Sequence, residues 1–495
     1  METVAAPTPA SEHVERVDVL VVGAGLSGIG AACHLSTECP DKTFAIVEAR
    51  EASGGTWDLF RYPGIRSDSD MYTLGYIFRP WVEAKSIADG SSILSYIRET
   101  AKEYGVDSKI RYHRRVVRAS WCSESSEWTV DIEHTDTGDH SRLRCNFLFC
   151  NTGYYRYDEG YTPEFPGMAD YTGRVIHPQH WPADVDVTGQ RVVVIGSGAT
   201  AVTLVPALAE TAKHVVMLQR SPTYIVSLPD RDPLASKLRE HLPLKRVYSI
   251  VRWKNVILQT IFFQLCRAAP KFAAGIIRKG VEKQLPAGYD VATDFQPRYN
   301  PWDQRLCLVP NGDLFRAIRD GRACVVTDRI ERITERGIRL ESGRELEADV
   351  IITATGLNLQ LLGGMTVVVD GEEIDFSQTV GYKGMMLSGV PNLVTTMGYT
   401  NASWTLKADL VATHVCRLLK HMTETGATRV VPRLPAGMQT QPFIDLNSGY
   451  VLRAQDRLPK QGTETPWRLH QNYLRDVKML RYDKTADPAL EFSRP

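Results

Sequence analysis

One pattern occurs twice in this chain, and the repeat constrains the fold more than any other feature. "VDVLVVGAGLSGIGAACHLS" opens with the β-branched run Val17–Val22, turns on glycines, and continues with Leu26, Ile29, Ala32 and Leu35 at helical spacing. A second apolar run, "TFAIVEA", ends at Glu48. Much later, "QRVVVIGSGATAVTLVPALAE" repeats strand, glycine turn and helix, and "KHVVMLQRS" supplies another second strand. Strands alternating with helices build a parallel sheet covered by helices. The fold class is therefore α/β, with two Rossmann-like dinucleotide-binding units.

The two glycine turns lead into different second strands. In Gly23-x-Gly25-x-x-Gly28 the first glycine allows a tight turn, the second lets a pyrophosphate approach the backbone, and the third permits close helix–strand packing. Ser27 lies in the first helical turn, whose free N–H groups suit phosphate. Glu48 closes the second strand, where a carboxylate accepts from a ribose 2′-OH. This pattern suits FAD or NAD. The later turn reads Gly196-Ser197-Gly198-Ala199-Thr200-Ala201, and its second strand ends in Arg220 and Ser221 with no acid. A cation and a hydroxyl there suit a 2′-phosphate, so NADPH is expected over NADH. Two such units in one chain point to a flavoprotein that takes hydride from NADPH.

The same pattern divides the 495 residues into parts. Residues 1–155 form the first part of the FAD-binding domain and 156–229 the first part of the NADPH-binding domain. Residues 230–310 are a helical insertion in the NADPH domain, 311–347 its second part, and 348–495 the second part of the FAD domain with a C-terminal coil. The insertion is basic and apolar together. Its stretch "VRWKNVILQTIFFQLC" is read as a buried helix lining a substrate channel, with weak contact to a membrane surface as the alternative.

Charge excludes one class of partner. Lys+Arg and Asp+Glu both number 58, and nucleic-acid binding needs a basic surplus. The nine cysteines are scattered without a CxxC pair, which fits reduced thiols in a cytoplasmic protein and argues against a thiol–disulfide reductase. The leader "METVAAPTPASEHVERVD" has no apolar h-region and reads as disordered, not as a signal peptide. No run is long and apolar enough to predict a transmembrane helix.

Two further stretches carry chemistry. "GGTWDLFRYPGIRSDSDMY" comes after the first unit. Gly54 and Gly55 allow close backbone approach to a planar ring, Thr56 follows as a cofactor-binding candidate, Trp57 covers an apolar face, and Arg66, Ser67 and Asp68 bring opposite charges together. "YTGRVIHPQHWP" holds His177 and His180 three apart. Pro178 interrupts the regular helix that an HxxH metal pair needs, so no metal is expected.

Both stretches resemble motifs of the type I Baeyer–Villiger monooxygenases. "GGTWDLFRYPGIRSD" is similar to the longer motif, and "YTGRVIHPQHWP" to the shorter one, with Tyr171 where Phe is usual. "IHPQHWP", "YNPWDQRLCLVPNGDLFRAIR", "IITATGLNLQL" and "TPWRLHQNYLRD" extend the resemblance along the chain, toward a branch that oxygenates ketones and also thioamides and thioethers. The resemblance implies that NADPH reduces FAD and that O₂ then gives a C4a-peroxyflavin. That species would insert oxygen into a ketone, giving an ester or lactone, or oxygenate sulfur. It also implies that Arg305 supplies a fixed cation, that Asp68 pairs with it, and that backbone at Val116 contacts the flavin adenine. Gln304 departs from the family, which often carries a lysine there for the 2′-phosphate. The rival readings are an N-hydroxylating or flavin-containing type of monooxygenase, and an NADPH-sensing regulator that has lost oxygenation. "YTGRVIHPQHWP" itself is read as a joint leading into the NADPH unit.

Overall fold

Strand Glu15–Val22 runs parallel between Phe44–Val47 and His140–Cys150 in a nine-stranded sheet. The computed structural model describes residues 14–494, and the leader read as disordered lies outside the described residues over 1–13. Side chains alternate along this strand. Val19 and Val21 enter one core with helix Leu26–Glu38, while Leu20 and Val22 enter another with Trp121 and Trp128. Burial on both faces explains why the run is continuously apolar instead of alternating.

The second unit repeats this plan. Its five strands run parallel in the order Ala323–Thr327, His214–Gln219, Arg191–Ile195, Val350–Thr353, Arg174–Ile176. The unit differs from the sequence reading at two boundaries. Cys307–Pro310, placed in the helical insertion by the division at 310, pairs parallel with Ile225–Leu228 and enters the core of this unit. Val350–Thr353, assigned to the FAD part by the division at 348, lies between Arg191–Ile195 and Arg174–Ile176 in the second sheet. An apolar strand carries no mark of which sheet it joins, and the chain crosses back only after Thr353. The two crossings lie side by side: Tyr155–Gly160 pairs antiparallel with Leu357–Leu359.

The insertion spans both units. Helix Leu244–Ala268 buries Val247, Tyr248, Val251 and Val256 in the core of the first unit, whereas Val281, Val291 and Phe295 enter the core of the second. Arg252, 4% exposed, donates to the carbonyls of Tyr72 and Gly75, both at 2.8 Å, and pairs with Asp409 at 3.5 Å. Those contacts fix the helix as a strut, since a buried guanidinium without partners would be strongly destabilising. No residue of 244–282 lines the large cavity between the two glycine turns. No helix among the described residues is long and apolar enough to cross a membrane.

Candidate active site

The cavity between the two glycine turns measures about 1830 Å³. Ordinary small-molecule pockets take ~300–1,000 Å³, so this one has room for two dinucleotides. Every catalytic or cofactor-binding residue expected from the sequence lines it except Gly28 and Ala201, which lie just behind the turns.

At the first turn, Gly23 has φ +100°, and a Cβ there would lie 2.7 Å from the Asn151 carbonyl oxygen. Gly25 caps helix Leu26–Glu38 with no side-chain hydrogen bond, so the first N–H groups keep their capacity for a phosphate. Glu48 is buried, and its two carboxylate oxygens accept from the backbone N–H of Ala24 at 2.8 Å and of Arg50 at 3.0 Å. Burial pushes its carboxyl up, while those backbone bonds pull the other way. Each oxygen retains a further lone pair for a ribose hydroxyl. Thr56 Oγ1 lies 3.3 Å from the Tyr157 hydroxyl, and Trp404 Nε1 donates to Ser27 Oγ at 2.7 Å. Neither Tyr157 nor the Trp404–Ser27 contact was legible from local sequence.

The second turn is more open. Gly196 has φ +139° and packs on the Ala354 carbonyl, but a Cβ on Gly198 would meet nothing within 4 Å. Gly198 caps Ala199–Leu208, again without a side-chain bond. Ser197 Oγ donates to the Ser221 carbonyl at 3.1 Å and lies 2.9 Å from Thr223 Oγ1. Arg220 is exposed at the rim, and Arg329, at the end of the neighbouring strand, is a second cation that sequence reasoning missed. The chemistry of these donors fits FAD at the first turn and NADPH at the second.

Between the turns, Arg305 Nη2 donates to Asp68 Oδ2 at 2.5 Å. Strand Cys307–Pro310, paired parallel with Ile225–Leu228, anchors Arg305 two residues upstream. Ser67 N–H bonds to the Ala88 carbonyl at 3.0 Å and holds the Asp68 loop. Asp68 raises the guanidinium's hold on its proton further above its ordinary value, with Tyr154, Tyr155 and Tyr450 adding to that against burial. Arg305 therefore carries fixed charge, and its side chain remains a third exposed toward the cavity. Trp302, three residues before it, sits at φ +72°, an uncommon conformation for a bulky residue and one that clusters at functional sites. Arg66 lines the cavity but pairs with Asp313, at 2.5 Å, and not with Asp68.

The short motif lies at the crossing. His177 Nδ1 accepts from the Gln179 N–H at 3.2 Å, and Nε2 faces the Gly356 carbonyl at 3.2 Å. That arrangement requires the neutral, Nε2-protonated tautomer, and burial lowers the ring's pKa in the same direction. Both nitrogens are engaged, so neither is free for a metal. Gly160 makes room: a Cβ there would lie 1.9 Å from His177 Cε1. His177 thus bolts the motif to both crossing segments, while His180 lines the cavity. His177→Ala is expected to keep the parent FAD content but to raise NADPH consumption not matched by oxygenated product. Unchanged rate and coupling would refute the joint reading.

This fold and cavity define a flavoprotein oxidoreductase with two dinucleotide units. The chain belongs to the flavin-binding monooxygenase-like family, whose model matches residues 85–362; a model of the NAD(P)-binding Rossmann-like domain matches residues 21–78. It is 58% identical over 482 residues to the FAD-containing monooxygenase EthA of Mycobacterium tuberculosis, covering 97% of this chain and 98% of that one. Among solved structures, it resembles a steroid monooxygenase bound to NADP, with TM-score 0.75, 23% identity, and 96% and 99% of the two chains covered. It also resembles OTEMO in complex with FAD and NADP, with TM-score 0.75, 22% identity, and 97% and 100% covered. At that identity the two structures show the shared fold.

Proposed function

We propose that this FAD-dependent monooxygenase takes hydride from NADPH and uses O₂ to oxygenate small ketones, giving esters or lactones, and thioethers or thioamides at sulfur. The observation that carries the reading is the Arg305–Asp68 pair, set in one cavity between a turn that suits FAD and a turn that suits NADPH. Bound FAD supplies the redox and oxygen-transfer chemistry.

The chain's own residues supply the rest. The Leu26–Glu38 and Ala199–Leu208 N-termini hold phosphates, and Glu48 holds the ribose of the flavin cofactor. Arg305 meets the negative charge that develops on oxygen during transfer, in a site where a preorganised cation costs no reorganisation. Asp68 aims the guanidinium and tempers its field. Arg220 and Ser221 recognise the 2′-phosphate. Arg220→Ala is expected to raise KM for NADPH about tenfold with kcat unchanged, as loss of a charged hydrogen bond at the uniform-binding stage predicts. An unaltered KM removes Arg220 from the site and leaves Arg329.

The monooxygenase reading rests also on the 58% identity to a protein named as an FAD-containing monooxygenase, because that likeness covers 97% of the chain. The rival is N-hydroxylation. Product analysis with a ketone, a thioether and a primary amine decides between them. Ester and sulfoxide support the proposal; hydroxylamine alone overturns it.

A further inference from the structure

We propose that the exposed face of the insertion helices docks on an anionic lipid surface. In Leu244–Ala268 the residues Ile250, Trp253, Ile257 and Ile261 recur at helical spacing and are all exposed, Ile261 by 58%. They lie opposite the face that carries Tyr248, Arg252 and Val256 into the core. Phe272, 62% exposed, and Ile276 add exposed apolar side chains on the next helix, Pro270–Glu282. Large apolar side chains exposed as a contiguous stripe mark an interaction surface, whereas scattered ones need no explanation.

Charge identifies the occupant. Residues 244–283 contain nine Lys and Arg against one acid, Glu282, in a chain where the two signs balance at 58 each. Lys245, Arg246, Lys271 and Lys279 are exposed, and among the described residues none of them makes an ion pair or a side-chain hydrogen bond. A second copy of this face would bring like charges together. An anionic lipid surface offers the apolar layer for the stripe and negative headgroups for its basic flanks. The helix lies along the surface and does not enter the bilayer, because Arg252 ties it to Tyr72, Gly75 and Asp409.

This reading does not rest on the oxygenation chemistry, and its test does not use that chemistry. The FAD-loaded full chain is floated with vesicles of phosphatidylcholine alone and of phosphatidylcholine mixed with phosphatidylglycerol. It is expected to float with the mixed vesicles at low salt and to stay behind with phosphatidylcholine alone or at high salt, where the Debye length shortens. Ile257→Glu with Ile261→Glu, and separately Lys245→Glu with Arg246→Glu, should each cut co-flotation about tenfold or more, with FAD content unchanged. No binding to the mixed vesicles overturns the proposal. So does binding that ignores lipid charge and both double variants. Sedimentation that shows dimers of the parent and monomers of Ile257→Glu/Ile261→Glu would assign the face to a second copy instead.

Discussion

Arg305→Ala is expected to leave reduction of bound FAD by NADPH within a few-fold of the parent, yet to cut ester formation from a ketone by roughly 10²–10³-fold, the usual loss when a group aimed at developing oxyanion charge is removed. The split arises from where the charge lies. Hydride transfer needs the two dinucleotides and their glycine turns, and Arg305 belongs to neither turn. Oxygen transfer places negative charge in the cavity that Arg305 lines. The substitution does two things at once, because Asp68 loses its partner and becomes an uncompensated anion in the same space. The double variant Arg305→Ala/Asp68→Asn separates them: it should recover part of the lost rate if stranded charge contributes, and none if only the cation matters. Arg305→Lys should recover little, since a flexible ammonium does not reproduce a fixed planar fork. Stopped-flow absorbance reports the reductive half and product analysis the oxidative half. A single variant that oxidises ketones at the parent rate would remove Arg305 from the chemistry.

The glycine turns were legible because each is a local event. Strand, tight turn and helix fall within a few residues, and the twenty-residue reach from Gly28 to Glu48 spans one helix and one strand. Contacts made across the chain were not. Trp404 bonds to Ser27 from the far end of the sequence, and nothing near either residue signals the other. Arg66 and Asp68 show how proximity in sequence misleads. They read as neighbouring opposite charges, but Arg66 bridges to Asp89 in extended backbone and its side chain reaches Asp313, while Asp68 reaches Arg305. The insertion was legible only in part. Its apolar content was plain, but composition alone does not tell which face packs, and the buried Arg252 is the residue that decides it.

Gly28→Ala is expected to yield protein without bound FAD, whereas Gly198→Ala should retain FAD and lose affinity for NADPH. Both substitutions add one methyl group to a glycine turn, at the third position of the first unit and the second position of the other, and the surroundings set the outcome. At Gly28 the new Cβ would lie 1.8 Å from the Gly23 carbonyl oxygen and 2.9 Å from its carbonyl carbon, so it meets backbone, which cannot rotate away. Gly23 cannot retreat easily. Its N–H bonds to the Val47 carbonyl at 2.8 Å, and its φ of +100° already uses the freedom of glycine. The turn must open, and the helix N-terminus that receives the pyrophosphate moves with it. At Gly198, φ is an ordinary −79° and a Cβ meets nothing within 4 Å, so the apoprotein should fold as before. The open space matters only when a pyrophosphate needs it. Visible absorbance of the purified variants gives FAD content, and KM for NADPH gives the second site. A Gly198→Ala variant with parent KM would show that the coenzyme does not approach that backbone. Normal flavin content in Gly28→Ala would mean that the turn yields more readily than its packing implies.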